Sequence, residues 1–498
     1  MRKTNKGFTI VELVIVIAVI AILAAVLIPT FVSLTKKANL SSDMQAVRQM
    51  NVALATEAAT NGKPADLLEA MIMMKNAGYD FENYKPISVD HRFFWNQTEN
   101  RIVLVLKNEV DGVKAGTIVF PKEEEGNVIT EAHKPLYRDS LVSADVVEEF
   151  KDKIAEVGTS TPIEIATADE LMALSALVNG ATDKANTYAG YTFNLTADEY
   201  DISNSVWVPI GEAEGAPFSG KLIGKEGGTK IIGLTTEGYT TDVANATKLT
   251  SGQIGVSYGF IGFAHNATVE NIIISEATID LSKTGKEMGA LVGYVTGNLT
   301  MTNCSIENST VIGMTKVGGL VGHVDNDKTR DGKVVLTNCK NVNTTVKAMH
   351  TGDNGRAGGL VGTAIGGAIE FVNCEVTAPL VSAKDFAAGL ISQVYNGITV
   401  KISGCKINPT EVKATEPRKG VYLIGYWANN SNHPVTITNT QVNGTALTEV
   451  NDSLFGYMSM GATANLVIGE TTYKYTNSTN NNSRPDYEDG NSLWEVVE

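Results

Sequence analysis

Gly318-Gly-Leu-Val-Gly322 and, twelve residues on, Val334-Val-Leu-Thr-Asn-Cys339 decide the fold of this chain, because both return at regular intervals. The first recurs as Gly289-Ala-Leu-Val-Gly293, Gly358-Gly-Leu-Val-Gly362 and Ala388-Gly-Leu-Ile-Ser392. It persists in decayed form as Val421-Tyr-Leu-Ile-Gly425 and Ser453-Leu-Phe-Gly456. The second recurs as Leu299-Thr-Met-Thr-Asn-Cys304, Ile369-Glu-Phe-Val-Asn-Cys374 and Val400-Lys-Ile-Ser-Gly-Cys405. The cysteines, four in 498 residues, are spaced 35, 35 and 31 apart. The unit is therefore about 30–40 residues, a period that signals a repeat architecture.

A strand of five or six residues cannot bury its apolar face alone, whereas units stacked on one another share a quasi-one-dimensional core. Each strand returns to the same side after one circuit, so equivalent strands pair in parallel and inward Leu, Val, Ile, Phe and Cys stack on their own counterparts. The pattern predicts a mainly β chain with a right-handed parallel β-helix solenoid over 161–475. The Gly-Gly pair before Leu-Val is expected to turn a corner through positive φ. Asn before Cys suits the next corner, because Asn tolerates the left-handed region. Coils ~4.8 Å apart bring cysteines within disulfide reach, but parallel side chains at one height give poor bond geometry. Cys304, Cys339, Cys374 and Cys405 are thus expected to be free thiols acting as small buried hydrophobes. No CxxC or Cys/His spacing calls for zinc.

Upstream of the repeats, Thr167-Ala-Asp-Glu170 is a capping box opening a helix that carries Leu171, Leu174 and Leu177. Residues 62–160 read as a small α+β region. It holds a short helix over 64–75, strands at Phe93-Phe94-Trp95, Arg101–Leu106 and Thr117–Phe120, and a helix over 144–156. The aromatic triplet is expected to be the side of a hairpin that covers a helix. The tail 476–498 is polar, with Leu493, Trp494 and Val496 able to dock as a cap.

The chain opens with a basic leader, Arg2, Lys3 and Lys6, followed by Gly7 and Phe8. From Thr9 to Ile28 the only charge is Glu12. About 20 apolar residues suffice to span a membrane, so 9–28 is predicted to be transmembrane. Apolar spacing through Phe31, Leu34, Met44, Val47 and Leu54 continues the helix to Asn61. Residues 8–61 would form one rod about 80 Å long. The run is too long for an ordinary secretory signal peptide and lacks a small-residue cleavage site at its far end.

These residues resemble the N-terminal signature of type IV pilins and the pseudopilins of secretion systems, a resemblance covering roughly residues 1–60. It implies a leader of residues 1–7, cut between Gly7 and Phe8 by a membrane-embedded prepilin peptidase that then methylates the Phe8 amine. It also implies a helix-loosening role for Pro29. Glu12 lies one helical turn from the Phe8 amine. An unpaired carboxylate in a membrane is costly, and pairing with the amine of a neighbouring pilin subunit satisfies both charges and sets an axial register. A plain signal anchor, never cut, is the alternative. The repeats resemble the GLUG repeats of bacterial surface proteins over about 160–460, and the 62–160 region resembles the helix-plus-hairpin head of pilin-like proteins of Gram-positive bacteria.

The net charge of −15 disfavours nucleic acid as a partner. Basic residues cluster only in the leader, which places that end in the cytoplasm and the bulk of the chain outside the membrane. Because parallel β-helices include polysaccharide lyases and hydrolases, two charged loops are candidates for catalysis, Asp325–Gly332 and His350–Arg356. They need not share an edge, and no catalytic residue, metal or cofactor is assigned. Asp325, Asp327 and Asp331 supply oxygens of the kind Ca²⁺ takes but match no standard loop, and a solvated turn is the default. The expected protein is a non-enzymatic cell-surface, pilin-like structural and adhesive subunit. Its head of more than 300 residues points to a minor or tip position, with a glycan or protein surface as ligand. A non-polymerising membrane-anchored surface protein and a carbohydrate-active enzyme are the alternatives.

Overall fold

The computed structural model describes residues 10–498 apart from short segments, of which 237–255 and 477–493 are the longest, with side chains from residue 34 onward. Two compact units divide the chain, Met1–Tyr137 and Arg138–Glu498.

In the first unit, helix α1 (Ile10–Asn61) lies against an antiparallel sheet. Its strands are β1 (His91–Asn96), β2 (Arg101–Leu106), β3 (Ile118–Phe120) and β4 (His133–Pro135), in the order β3-β2-β1-β4. Val47, Met50 and Leu54 on one face of α1 pack with Phe93, Trp95, Ile102 and Leu104. Successive strand residues point to opposite faces, so Phe94 lies on the far side with Val103, Val105 and Ile118. The aromatic triplet therefore serves two cores rather than one. Two polar side chains on α1 fix the register. Asn51 Oδ1 accepts from the Ile102 amide at 2.6 Å and its Nδ2 donates to the Ile102 carbonyl at 2.8 Å. Buried Asp43 accepts from the amides of Ile87 and Ser88 at 2.7 and 3.0 Å. Most of the helix expected over 64–75 lies outside the described residues, though Ala70 and Met74 are buried in this core.

The second unit is a parallel β-helix. One inward position can be followed in register through ten strands, from Ile163 through Val269, Met301, Leu336 and Phe371 to Ile468. Every side chain named in that row is at most 2% exposed. A second row holds Cys304, Cys339, Cys374 and Cys405, all buried and free. Each thiol donates to the carbonyl of the row before it, on Val269, Met301, Leu336 and Phe371, at 3.3–3.6 Å. The corner residues Asn271, Asn303, Asn338 and Asn373 have φ of 52–57°, and their amides form a ladder, Asn338 to Asn303 and Asn303 to Asn271, each 2.9 Å.

The glycine corner works differently from the expectation. Gly318, Gly319, Gly358 and Gly359 do not have positive φ. They are required by close approach: a Cβ on Gly319 would sit 2.1 Å from the Gly359 carbonyl oxygen, and one on Gly359 would sit 1.9 Å from that of Gly389. The chain stacks backbone on backbone here, and no side chain fits between coils.

Both ends are covered. Helix α2 (Ala144–Val157) and helix α3 (Ala168–Asn179) add Phe150, Ile154, Leu171, Leu174 and Val178 to the solenoid core. The boundary drawn at residue 160 is thus corrected: Phe150 and Ile154 make α2 part of the second unit, because their apolar face needs that core. The expected capping box forms, with Thr167 Oγ1 accepting from the Glu170 amide at 3.1 Å. At the other end, residues 495–497 pair antiparallel with the strand Thr471–Thr476, and Trp494 packs on Trp427 and Phe455. The end of the tail is therefore a cap.

Replacing Gly359 with Ala is expected to destabilise the solenoid by about 3 kcal/mol or more, since the clash is with backbone. Gly215→Ala, where a Cβ meets nothing within 4 Å, is expected to leave the urea midpoint unchanged. Equal midpoints for the two variants would contradict the close-packed corner.

Candidate functional site

Gly7 and Phe8 lie outside the described residues; Glu12 and Pro29 lie within the backbone of α1, with their side chains outside them. Among the described residues no helix is long and apolar enough to cross a membrane, and the predicted span 9–28 falls outside the described side chains.

The solenoid gathers a charged cluster to which the two charged loops contribute only one end residue each, Asp325 and Arg356. In the strands Gly285–Gly289, Lys316–Gly318 and Arg356–Gly358, the residues Met288, Val317 and Ala357 point inward. Alternation turns Glu287, Lys316 and Arg356 outward, in register on successive coils. A second outward row, Tyr294, His323, Thr363, Gln393 and Tyr426, runs beside it in the neighbouring sheet.

The rows meet at Glu287 and His323. Ser257 Oγ donates to Glu287 Oε2 at 2.9 Å, and Lys316 Nζ approaches Glu287 Oε1 at 3.3 Å. Lys316 Nζ also lies 3.0 Å from His323 Nδ1. An ammonium only donates, so Nδ1 is the acceptor and the imidazole proton sits on Nε2. The Tyr294 ring meets His323 edge-on at 5.0 Å, and its hydroxyl donates to Asp325 Oδ2 at 2.7 Å. Glu287 and His323 are each 2% exposed. Burial, then the positive charge of Lys316, holds the His323 pKa well below its ordinary value. Burial also lowers Lys316, against the opposing pull of Glu287. Glu287 thus faces two ammonium groups, Lys316 at 3.3 Å and Lys286 at 3.4 Å, and the charges of Lys316, Lys286 and Arg356 all act on the neutral imidazole of His323.

The carboxylates weighed for calcium are engaged elsewhere. Asp325 accepts from Tyr294 and from the Asp327 amide, and Asp327 accepts from Asn396 at 3.1 Å. Residues 328–330 lie outside the described ones, and among those described no group of three or more His, Cys, Asp or Glu is placed to hold a metal. The sequence signal for the cluster was a charged residue two places before the repeat glycine, in Glu287-Met-Gly, Lys316-Val-Gly and Arg356-Ala-Gly.

Fold and sequence together define a helix-led β-solenoid protein. Its residues 2–28 match the prokaryotic N-terminal methylation motif. The type IV major fimbrial protein FimA of Dichelobacter nodosus is 32% identical over 120 residues, 24% of this chain and 73% of that protein. The type IV wide pilus major component PilA4 of Thermus thermophilus is 68% identical over 37 residues, 7% of this chain and 28% of that one. A crystal structure from Bacteroides ovatus, described as that of an immunoglobulin A1 protease candidate, overlaps 62% of this chain and 84% of its own at 17% identity. Its TM-score is 0.37, too low to transfer fold or function. The chain belongs to the type IV pilin family.

The neutral state of His323 sets a pH dependence. Its folded pKa lies below the 6.5 of the exposed group. As pH falls through about 6.5, the unfolded chain binds a proton that the folded one does not, and stability is lost by up to about 1.4 kcal/mol per pH unit. The urea midpoint of the solenoid is expected to fall on acidification and His323→Gln to flatten that fall. Parallel profiles would contradict a buried neutral imidazole.

Proposed function

We propose that this chain is a minor or tip subunit of a type IV pilus-like filament that displays its β-helix for adhesion at the cell surface. The observation that carries this is the joining of a methylation motif at residues 2–28 to a solenoid unit spanning Arg138–Glu498. The 120 residues shared with the Dichelobacter nodosus protein are 73% of that chain and 24% of this one, so this chain is about three times as long. Such a head would crowd a shaft if it occurred at every position.

In this account prepilin peptidase cuts between Gly7 and Phe8 and methylates the new amine. The helix first anchors the chain in the membrane with the residues beyond the 9–28 span outside. It then enters the filament among other pilins, where Glu12 of one subunit pairs with the Phe8 amine of its neighbour. Two opposite charges in a low-dielectric core are costly when parted, so the pair selects one register. Pro29 loosens the helix beyond the membrane segment. The repeats are read as GLUG-type surface repeats, and the role is binding rather than catalysis.

Intact-mass measurement of membrane-extracted protein is expected to show a chain that begins at Phe8 and carries one added methyl group. Glu12→Ala is expected to be exported and folded, yet at least tenfold depleted from sheared filaments. An uncut Met1 would favour a plain membrane anchor, and normal incorporation of Glu12→Ala would sink the pairing.

A further inference from the structure

Glu287 and Lys316 are partners across adjacent coils, in register in the parallel pair of strands Gly285–Gly289 and Lys316–Gly318. Both are withdrawn from water: Glu287 is 2% exposed and the Lys316 side chain 14%. A buried ion pair carries a desolvation penalty that its attraction need not offset. Three contacts give this pair a chemistry of its own. Lys316 Nζ stands 3.3 Å from Glu287 Oε1, the range in which bound reactants are poised to bond. It also stands 3.0 Å from Nδ1 of the neutral His323, an acceptor able to take its proton. Ser257 Oγ donates to Glu287 Oε2 at 2.9 Å and Lys286 Nζ lies 3.4 Å from Oε1, so the carboxyl group is held and polarised from two sides.

We infer that Lys316 and Glu287 join in an amide bond, a covalent staple between adjacent coils. Proton transfer within the pair turns the ammonium and the carboxylate into an amine and a carboxylic acid. Nζ then attacks Cδ, and the oxygens of the tetrahedral intermediate face the Ser257 hydroxyl and the Lys286 ammonium. His323 Nδ1 takes the proton that Nζ sheds and returns it to the hydroxyl that leaves as water. One N–C bond forms, one C–O bond breaks, one water is released, and the net charge is unchanged. Burial, with the charges of Lys286 and Arg356, draws Lys316 toward the neutral amine against the pull of Glu287. The product replaces two charges in a site closed to water with one neutral amide, and the same exclusion of water opposes hydrolysis. Lys286 is the other amine near the carboxyl, but its side chain is 48% exposed, where water stabilises the ammonium. The staple spans 29 positions of sequence and restricts the unfolded chain as any crosslink does.

The test is peptide mapping of the full chain, extracted in detergent, denatured and cut with chymotrypsin, which cleaves between the two residues at sites such as Tyr294 and Leu299. Wild type is expected to give a branched peptide, one water lighter than its two arms together, whose fragmentation places the link between Glu287 and Lys316. Lys316→Arg keeps the charge and is expected to give linear peptides only. Lys340→Ala, on a strand of another sheet, is expected to be linked as wild type is. His323→Gln, or His323→Asn should the first not fold, is expected to link about a hundredfold more slowly in newly synthesised chain, the loss of a general base. Linear peptides alone from wild type overturn the bond. A link through Lys286 overturns the choice of nucleophile, and an unchanged rate in the folded His323 variant overturns the role of the imidazole. The wild-type map decides the first two outcomes without any variant.

Discussion

Everything in the larger unit depends on coils stacking at strand spacing with nothing between them. At the glycine corner the backbones approach so closely that a single methyl group would strike the carbonyl of the next coil. That contact brings the outward rows on either side of the corner together, so Glu287 and Lys316 reach His323. Inside, the same stacking forces like onto like and yields the cysteine row and the apolar row from Ile163 to Ile468. Neither row is stable as a single copy, since each side chain is covered by its equivalents on adjacent coils.

The solenoid was legible because repetition multiplies a weak signal. Any one Leu-Val-Gly is uninformative, but four ordered copies alternating with four Asn-Cys or Gly-Cys strands fix the period and the inward face. The left-handed asparagines followed from side-chain chemistry alone. The role of the glycines did not, because a sequence shows that a residue lacks a side chain without showing whether φ or a neighbour forbids one. The boundary at residue 160 was misplaced for a related reason: α2 has an amphipathic pattern that fits any core, and only the packing of Phe150 and Ile154 shows which core it serves. Asp43 and Asn51 were missed because a polar residue on a long helix reads as solvent-facing until its backbone partners, 44 to 51 residues away, are seen.

The candidate site was less legible than the fold. The residues that converge are scattered in the sequence: Lys316 and His323 lie seven positions apart on neighbouring strands of one coil, and Glu287, 29 and 36 positions before them, meets them only because the register places it one coil away. The N-terminal motif is the opposite case. Its residues are read directly from a short stretch, and the known pilins that support the family each match no more than 30% of the chain. A pilin helix supplies a way into the membrane and into a filament, and the β-helix supplies a long, regular outer surface. Under the proposed function, their union in one chain separates assembly from recognition.

The central claim, that the filament carries this solenoid sparsely and not along its length, is tested most directly by cryo-electron microscopy of native filaments with antibody label against the 138–498 unit. The account expects label and extra density at filament ends or rare sites, above a shaft built of smaller subunits. A shaft whose every position carries a β-helix, or filaments without label from cells that export the chain, would contradict it.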